Sequence, residues 1–405
     1  MITVKPFRAL RPKAEYVSRV AALPYDVFTE EEARAEAKKD SLSFINIDRP
    51  ETQFLPGQNM SERQLYEKAA QLLQKEIREE IFIREKTASF YIYELTYLDH
   101  SQTGLVCCVS TDDYIENRIK KHEQTRIQKE TDRYRHIYTC GAQTGPIFLA
   151  YPHKAPLDKL IRSLKEKGPV YDFKASDGVR HKVWQFDDED IICKIAGEFN
   201  KIPAAYIADG HHRAAAAVRV CQDMKNEAGF MAVFFPHNEL KIYPYYRVVK
   251  DLNGLTVSRF IETISEKFDV AAQCGRPPEI LEKGKIAFYS ESRWYILTKK
   301  QSYAGTDAVK RLDVSMLQSE ILSPVLGITD IRNDKRIDFI GGIYGCAAIE
   351  KRCAEDMTAG FMTSPVTIEE LFAVADSGAL MPPKSTWFEP KLRSGIFIHE
   401  LNKTL

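Results

Sequence analysis

Apolar and polar positions along the chain follow two rhythms, and their alternation sets the expected elements. An acidic, alanine-containing stretch over 30–39 predicts a helix. Ser61 followed by Gln64 has the spacing of a capping box, and Leu65, Ala69, Leu72, Leu73 and Ile77 then recur on one helical face. Residues 89–98 and 104–110 are rich in Tyr, Ile and Val and flank a polar turn, which predicts a hairpin. The segment 112–122 reads as helix. A short apolar strand over 204–208 gives way at once to Arg213 and four alanines, a helix-favouring run, and 229–235 reads as another buried strand. Further on, helices are expected over 258–268 and 313–322. Thr367 and Glu370 make a second capping box before 371–375. Strands are expected over 285–289, 294–298 and 396–401. Helices and strands interleave without a repeat, so the expected class is mixed α/β (α+β).

Length divides this pattern. A chain of 405 residues suggests two or three units, and a change of character near 245–252 predicts an N-terminal α/β domain over 1–248 and a C-terminal one over 249–405. Lys+Arg and Asp+Glu both number 57, for a formal net charge of +0. That balance argues against broad capture of nucleic acid or of an anionic membrane. No apolar run reaches the roughly 18–20 residues of a membrane span, and the start lacks the charged-then-apolar pattern of a secretory signal. The eight cysteines are dispersed, with no CxxC or zinc spacing. Reduced thiols in a cytoplasmic protein are the expectation.

Candidate chemistry concentrates at Asp209-Gly210-His211-His212-Arg213, where strand turns into helix. A helix start offers backbone N–H groups and the positive end of the dipole, which suits a phosphate. Gly210 permits close approach or a positive φ, and Arg213 suits bidentate phosphate contact. Asp209 is expected either to hold a metal or simply to cap the helix. A site built on the histidine pair alone lacks the usual ligand spacing. Residues 120–136 are the densest charge cluster. Placed on a helix, Glu123, Arg126 and Glu130 would share one face, with Arg126, Lys129 and Arg133 beside them. Such a stripe is either a solvated surface or a metal–phosphate site, with Glu123 as the first carboxylate to try as general base. Asp177 and His181 of DGVRH, and Lys384, Ser385 and Thr386 after a proline pair, are further substrate or anion candidates, each with a plain turn as its alternative. No GxxxxGK[ST], GxGxxG or GxSxG motif occurs in its required context.

Taken in order, PFRALRP, LPYDV, KKHEQTR, KETDR, Gln143-Thr144-Gly145-Pro146, DGVRH, IADGHHRAAAA and MPPKSTWFEPK resemble the domain-of-unknown-function 1015 family over almost the whole chain. The DGHHR turn with its alanine-rich helix also looks like the phosphate box of the ParB/sulfiredoxin superfamily, which includes free serine kinases. This resemblance implies a ParB/sulfiredoxin-like core and ATP or ADP with Mg²⁺. The nucleotide phosphates would lie against Gly210, His211, His212 and Arg213. Asp209 would hold metal or substrate amine, and Asp209 and His211 would carry the chemistry together with Glu123, whose role as base is read from the charge cluster and not from the matched box. Arg126 and Lys129 would add positive charge. The implied activity is a small-molecule kinase, with L-serine as first acceptor. A nucleotide-binding regulatory switch and a metal-dependent phosphatase or hydrolase are the alternatives. A small metabolite and a nucleotide are the expected partners, and a homodimer is left open.

Overall fold

The computed structural model describes residues 1–301, 303 and 305–401. Its mixed α/β class follows directly from the apolar patterns. The run at 204–208 becomes the strand Ala205–Asp209, whose first four residues are buried. It lies second from one end of a large mixed sheet, in the order Ile119–Lys120, Ala205–Asp209, Ile147–Tyr151, Phe230–Pro236, His100–Val109, Phe90–Tyr97, Arg180–Phe186, Tyr171–Lys174. Val4–Lys5 also pairs with His100–Val109. Two of the neighbouring pairs are parallel and the others antiparallel. The hairpin forms as expected, from Tyr97 opposite His100 to Tyr91 opposite Val106.

The helix His211–Asp223 packs on this sheet. Ala214, Ala216 and Ala217 are fully buried in one cluster with Ile207, Leu149 and Phe234. Small side chains on that face let the helix lie close to the strands, which brings its first turn next to the end of Ala205–Asp209. A four-stranded antiparallel sheet joins Phe82–Arg84, Ala9–Pro12, Ile398–Glu400 and Ala142–Gln143. The capping box at Ser61 and Gln64 forms and opens the helix Glu62–Arg78.

The chain divides into two units. One comprises Met1–Lys121, Thr125–Leu240 and Pro390–Leu405; the other comprises His122–Gln124 and Lys241–Glu389. The expected boundary after residue 248 falls inside the strand Tyr245–Val249, which pairs on both sides within the second unit. The end of the chain instead returns to the first unit, where Ile398–Glu400 pairs with Ala9–Pro12 and Ala142–Gln143. The second unit is built on a six-stranded antiparallel sheet, in the order Phe268–Gln273, Arg293–Lys299, Lys285–Ser290, Ala359–Thr363, Tyr245–Val249, Ile337–Gly341. Phe260 of the helix Val257–Ile264 packs on Phe288 and Phe361 of that sheet.

Two expected helices are shorter than their patterns. Over 112–122 only Thr111–Ile115 is helical; Asn117 takes a left-handed φ of 58°, and Ile119–Lys120 pairs alongside Ala205–Tyr206. Over 258–268 the helix stops at Ile264, because Phe268 begins a strand opposite Lys299. Phe260, Ile264 and Phe268 have helical spacing, but strand pairing claims the last of them. Among the described residues no helix is long and apolar enough to cross a membrane.

Candidate functional site

Gly210 is the N-cap of the helix His211–Asp223, with φ 92° and ψ 36°, and no side chain caps the helix there. A Cβ at this position would lie 3.0–3.1 Å from the Arg213 guanidinium. Glycine therefore both permits the left-handed turn and leaves room for the arginine to fold back over it. Asp209 does not act as the cap. Its Oδ2 accepts from Lys391 Nζ at 3.0 Å and lies 3.8 Å from Arg213 Nη2.

Arg213 is the most enclosed charge of this group, at 8% exposure. Its Nη1 donates to the Pro146 carbonyl at 2.9 Å, while its Nε is buried with no hydrogen-bond partner among the described residues. Burial opposes its charge, but Asp209, Asp26, Tyr25 and Asp48 outweigh that cost and hold its pKa above the ordinary value. His211 is buried, and desolvation takes its pKa down to about 3, so its imidazole is neutral. His212 Nε2 accepts from the Arg126 backbone N–H at 2.9 Å, which puts a neutral ring's proton on Nδ1.

Beside Arg213 is a small cavity of about 20 Å³, room for a single water. Its lining includes Tyr25, Asp48, Arg133, Thr144 and Ser394. Arg133 stacks over the Tyr25 ring at 4.0 Å and pairs with Asp132 at 2.7 Å. Thr144 donates to Asp48 at 2.9 Å. Two arginines thus face one small space from two helices.

The expected charge stripe resolves differently. Its helix begins at Ile127 with Arg126 as N-cap, so Glu123 does not share a helical face with Arg126 and Glu130; it belongs to the segment grouped with the second unit. Lys129 is exposed on the first helical turn. Arg133 turns inward. Asp177 and His181 sit at the strand Arg180–Phe186, five ladder steps from Ala205–Asp209. There Arg393 pairs with Asp177 and donates from Nε to His181 Nε2 at 3.4 Å, and His181 Nδ1 meets Tyr93 OH at 2.8 Å. Burial and the Arg393 charge keep His181 neutral, and its ring is stacked on Phe173. Lys384, Ser385 and Thr386 lie in the second unit. Lys384 has φ 58° with Nζ 3.3 Å from Tyr245 OH, its carbonyl accepts from the buried Arg247, and Ser385 bonds the Pro382 carbonyl.

The structure therefore brings Asp209 to Arg213 together with Arg126. It adds Tyr25, and with it Lys391, Asp48, Thr144 and Ser394, which were not singled out as site residues. Lys391, Tyr25 and Thr144 each fall inside a motif quoted above; Asp48 and Ser394 had no such signal.

Residues 4–315 match the model of a family described as a protein of unknown function, DUF1015. The chain belongs to this family. The matched stretch includes the family's share of the site from Tyr25 to Arg213, while Lys391 and Ser394 lie beyond it. No curated protein matches the chain. Among solved structures, free serine kinase in complex with AMP is 15% identical with a TM-score of 0.37, over 74% of this chain and 92% of that one. A conserved hypothetical protein from Pyrococcus furiosus is 17% identical with a TM-score of 0.35, over 73% and 95%. SbnI with a C-terminal truncation, from Staphylococcus aureus, is 11% identical with a TM-score of 0.36, over 71% and 85%.

Proposed function

We propose that this family member is a nucleotide-dependent phosphotransferase acting on the hydroxyl of a small metabolite, with a ParB/sulfiredoxin-like core. The observation that carries the reading is Arg213: a charged guanidinium, buried, with Nε unpartnered, folded over a left-handed glycine at the start of a thirteen-residue helix. A buried donor of that kind calls for an acceptor, and a phosphate at a helix N-terminus is the acceptor this geometry suits. The choice of ATP or ADP, and of free L-serine as acceptor, comes from the resemblance of the Asp209–Arg213 box to its superfamily.

In this reading the acceptor hydroxyl attacks the terminal phosphorus, the bond from that phosphorus to the bridging oxygen breaks, and the shortened nucleotide leaves. A general base takes the hydroxyl proton, and Glu123 is the carboxylate to test for that role. Arg213, with the N–H donors of His211 and His212, holds the phosphate oxygens as charge shifts between them. Arg126 and Lys129 raise the local positive potential. Among the described residues no group of three His, Cys, Asp or Glu side chains is set to hold a metal. Mg²⁺ would therefore enter on the nucleotide phosphates, with Asp209 as its protein ligand, and would supply charge neutralisation there.

Isothermal titration of ATP and ADP with Mg²⁺, followed by addition of L-serine and assay for O-phosphoserine, tests this. Wild type is expected to bind and turn over. Arg213→Ala is expected to weaken binding roughly 10- to 100-fold, the loss of a charge-assisted contact. Glu123→Gln is expected to keep nucleotide affinity and lose on the order of 10²–10⁴ in rate. A wild-type protein that binds neither nucleotide sinks the proposal. Full turnover by Glu123→Gln removes that residue as base.

A further inference from the structure

The pairing of Asp209 with Lys391 puts a second cation on the carboxylate that Arg213 faces. Two cations, Arg213 and Lys391, face one carboxylate, at 3.8 and 3.0 Å. The Lys391 side chain is only 9% exposed, and that of Asp209 26%. Lysine is seldom buried without an electrostatic reason. Asp26 and Asp48 also act on Arg213, so what sets the pair apart is a nearly buried ammonium close to a guanidinium whose Nε has no hydrogen-bond partner among the described residues.

The chain also spends its far end on delivering this lysine, 182 residues from its partner. The return segment is fixed on both sides of it. Gln102 Nε2 donates to the Pro390 carbonyl at 3.3 Å. Arg393 is held by Asp177 and His181, Ser394 N–H donates to the Ala22 carbonyl at 2.9 Å, and Gly395 N–H donates to the Thr144 carbonyl at 3.2 Å. The backbone is pinned, while the four-carbon stem leaves the ammonium able to change acceptors.

We infer that Lys391 is the second cation of the phosphate seat. It rests on Asp209 until a polyphosphate arrives, and then moves to a phosphate oxygen beside Arg213. This rests on the phosphotransferase reading for its ligand and adds an order of events. Asp209 is freed for Mg²⁺ or for the ammonium of the second substrate only once phosphate has taken Lys391.

The test is titration of ADP and of pyrophosphate into wild type, Lys391→Met, Lys391→Arg and the double variant Asp209→Asn/Lys391→Met. Lys391→Met is expected to bind both ligands roughly 10- to 100-fold more weakly, and Lys391→Arg to keep most of the affinity. The double variant separates contact from charge balance: it is expected to stay weak. Wild-type affinity in Lys391→Met, or affinity restored in the double variant, overturns the inference, since Lys391 would then only neutralise Asp209. Pyrophosphate separates the two proposals. Lys391-dependent binding of pyrophosphate with no binding of ADP would remove the nucleotide and leave the seat. ADP binding indifferent to Lys391 would do the reverse.

Discussion

Gly210 shows what a single backbone angle controls. At φ 92° an added Cβ meets two obstacles: the left-handed conformation itself, and the guanidinium of Arg213 at 3.0 Å. The first costs roughly 1–2 kcal/mol for an L-residue. The second displaces the group on which the phosphate reading rests. Gly210→Ala is therefore expected to lose about 1–2 kcal/mol of stability in denaturant unfolding and also to weaken nucleotide binding. A variant that loses stability but binds ADP like wild type would show that Arg213 is not set by this turn. The site was legible at this scale where neighbours in sequence are neighbours in space. DGHHR is one such case: strand, glycine and arginine are consecutive, and their local physics suffices. Lys391 was visible only as the last letter of MPPKSTWFEPK, because its partner is 182 residues away and nothing in its own surroundings signals an ion pair.

Among the elements, Glu62–Arg78 was the most readable and holds one residue that breaks its pattern. Ser61 and Gln64 form the expected reciprocal caps, and Tyr66, Ala69 and Leu73 line the buried face. Glu76 is buried on the same helix, its Oε2 without a hydrogen-bond partner among the described residues. Burial takes its pKa up to about 8, with Glu79 and Asp40 adding to the rise and Lys75 opposing it. The folded state therefore keeps a proton that the unfolded chain releases near pH 4.5. The stability this gives is full below that pH and is lost as pH rises through about 8. Glu76→Gln removes the titration. Its stability relative to wild type is expected to improve by on the order of 2 kcal/mol between pH 5 and pH 8. A difference that stays flat with pH would mean that Glu76 is solvated. Elsewhere the misreadings share one cause. The patterns at 112–122 and 258–268 carry helical spacing, yet Ile119 and Phe268 are taken by strands whose partners, Ala205 and Lys299, lie elsewhere in sequence. Spacing reports the local period, and pairing partners decide where it stops.

At the scale of the whole molecule, the feature with most consequence is the return of Pro390–Leu405 to the first unit across the inserted segment Lys241–Glu389. Ile396, Phe397 and Ile398 are all fully buried, and Phe397 packs against Tyr91 and Tyr93. Burial of each such side chain contributes roughly 1.5–3 kcal/mol, so the three together approach the whole stability of an ordinary domain, about 5–15 kcal/mol. Their removal would also strip the strands Ala9–Pro12 and Ala142–Gln143 of the partner they share and leave Asp177 and His181 without Arg393. The second unit has its own six-stranded sheet and its own core around Phe260, Phe288 and Phe361, to which the return contributes no strand. A chain ending at Glu389 is therefore expected to lose the cooperative unfolding of the first unit while keeping that of the second, as measured by calorimetry against the full-length protein. Two intact transitions in the shortened chain would show that the first unit closes without its last strand. Lys391 would then owe its place to the ion pair alone, and the geometry of the seat would have to be sought in Asp209 rather than in the return.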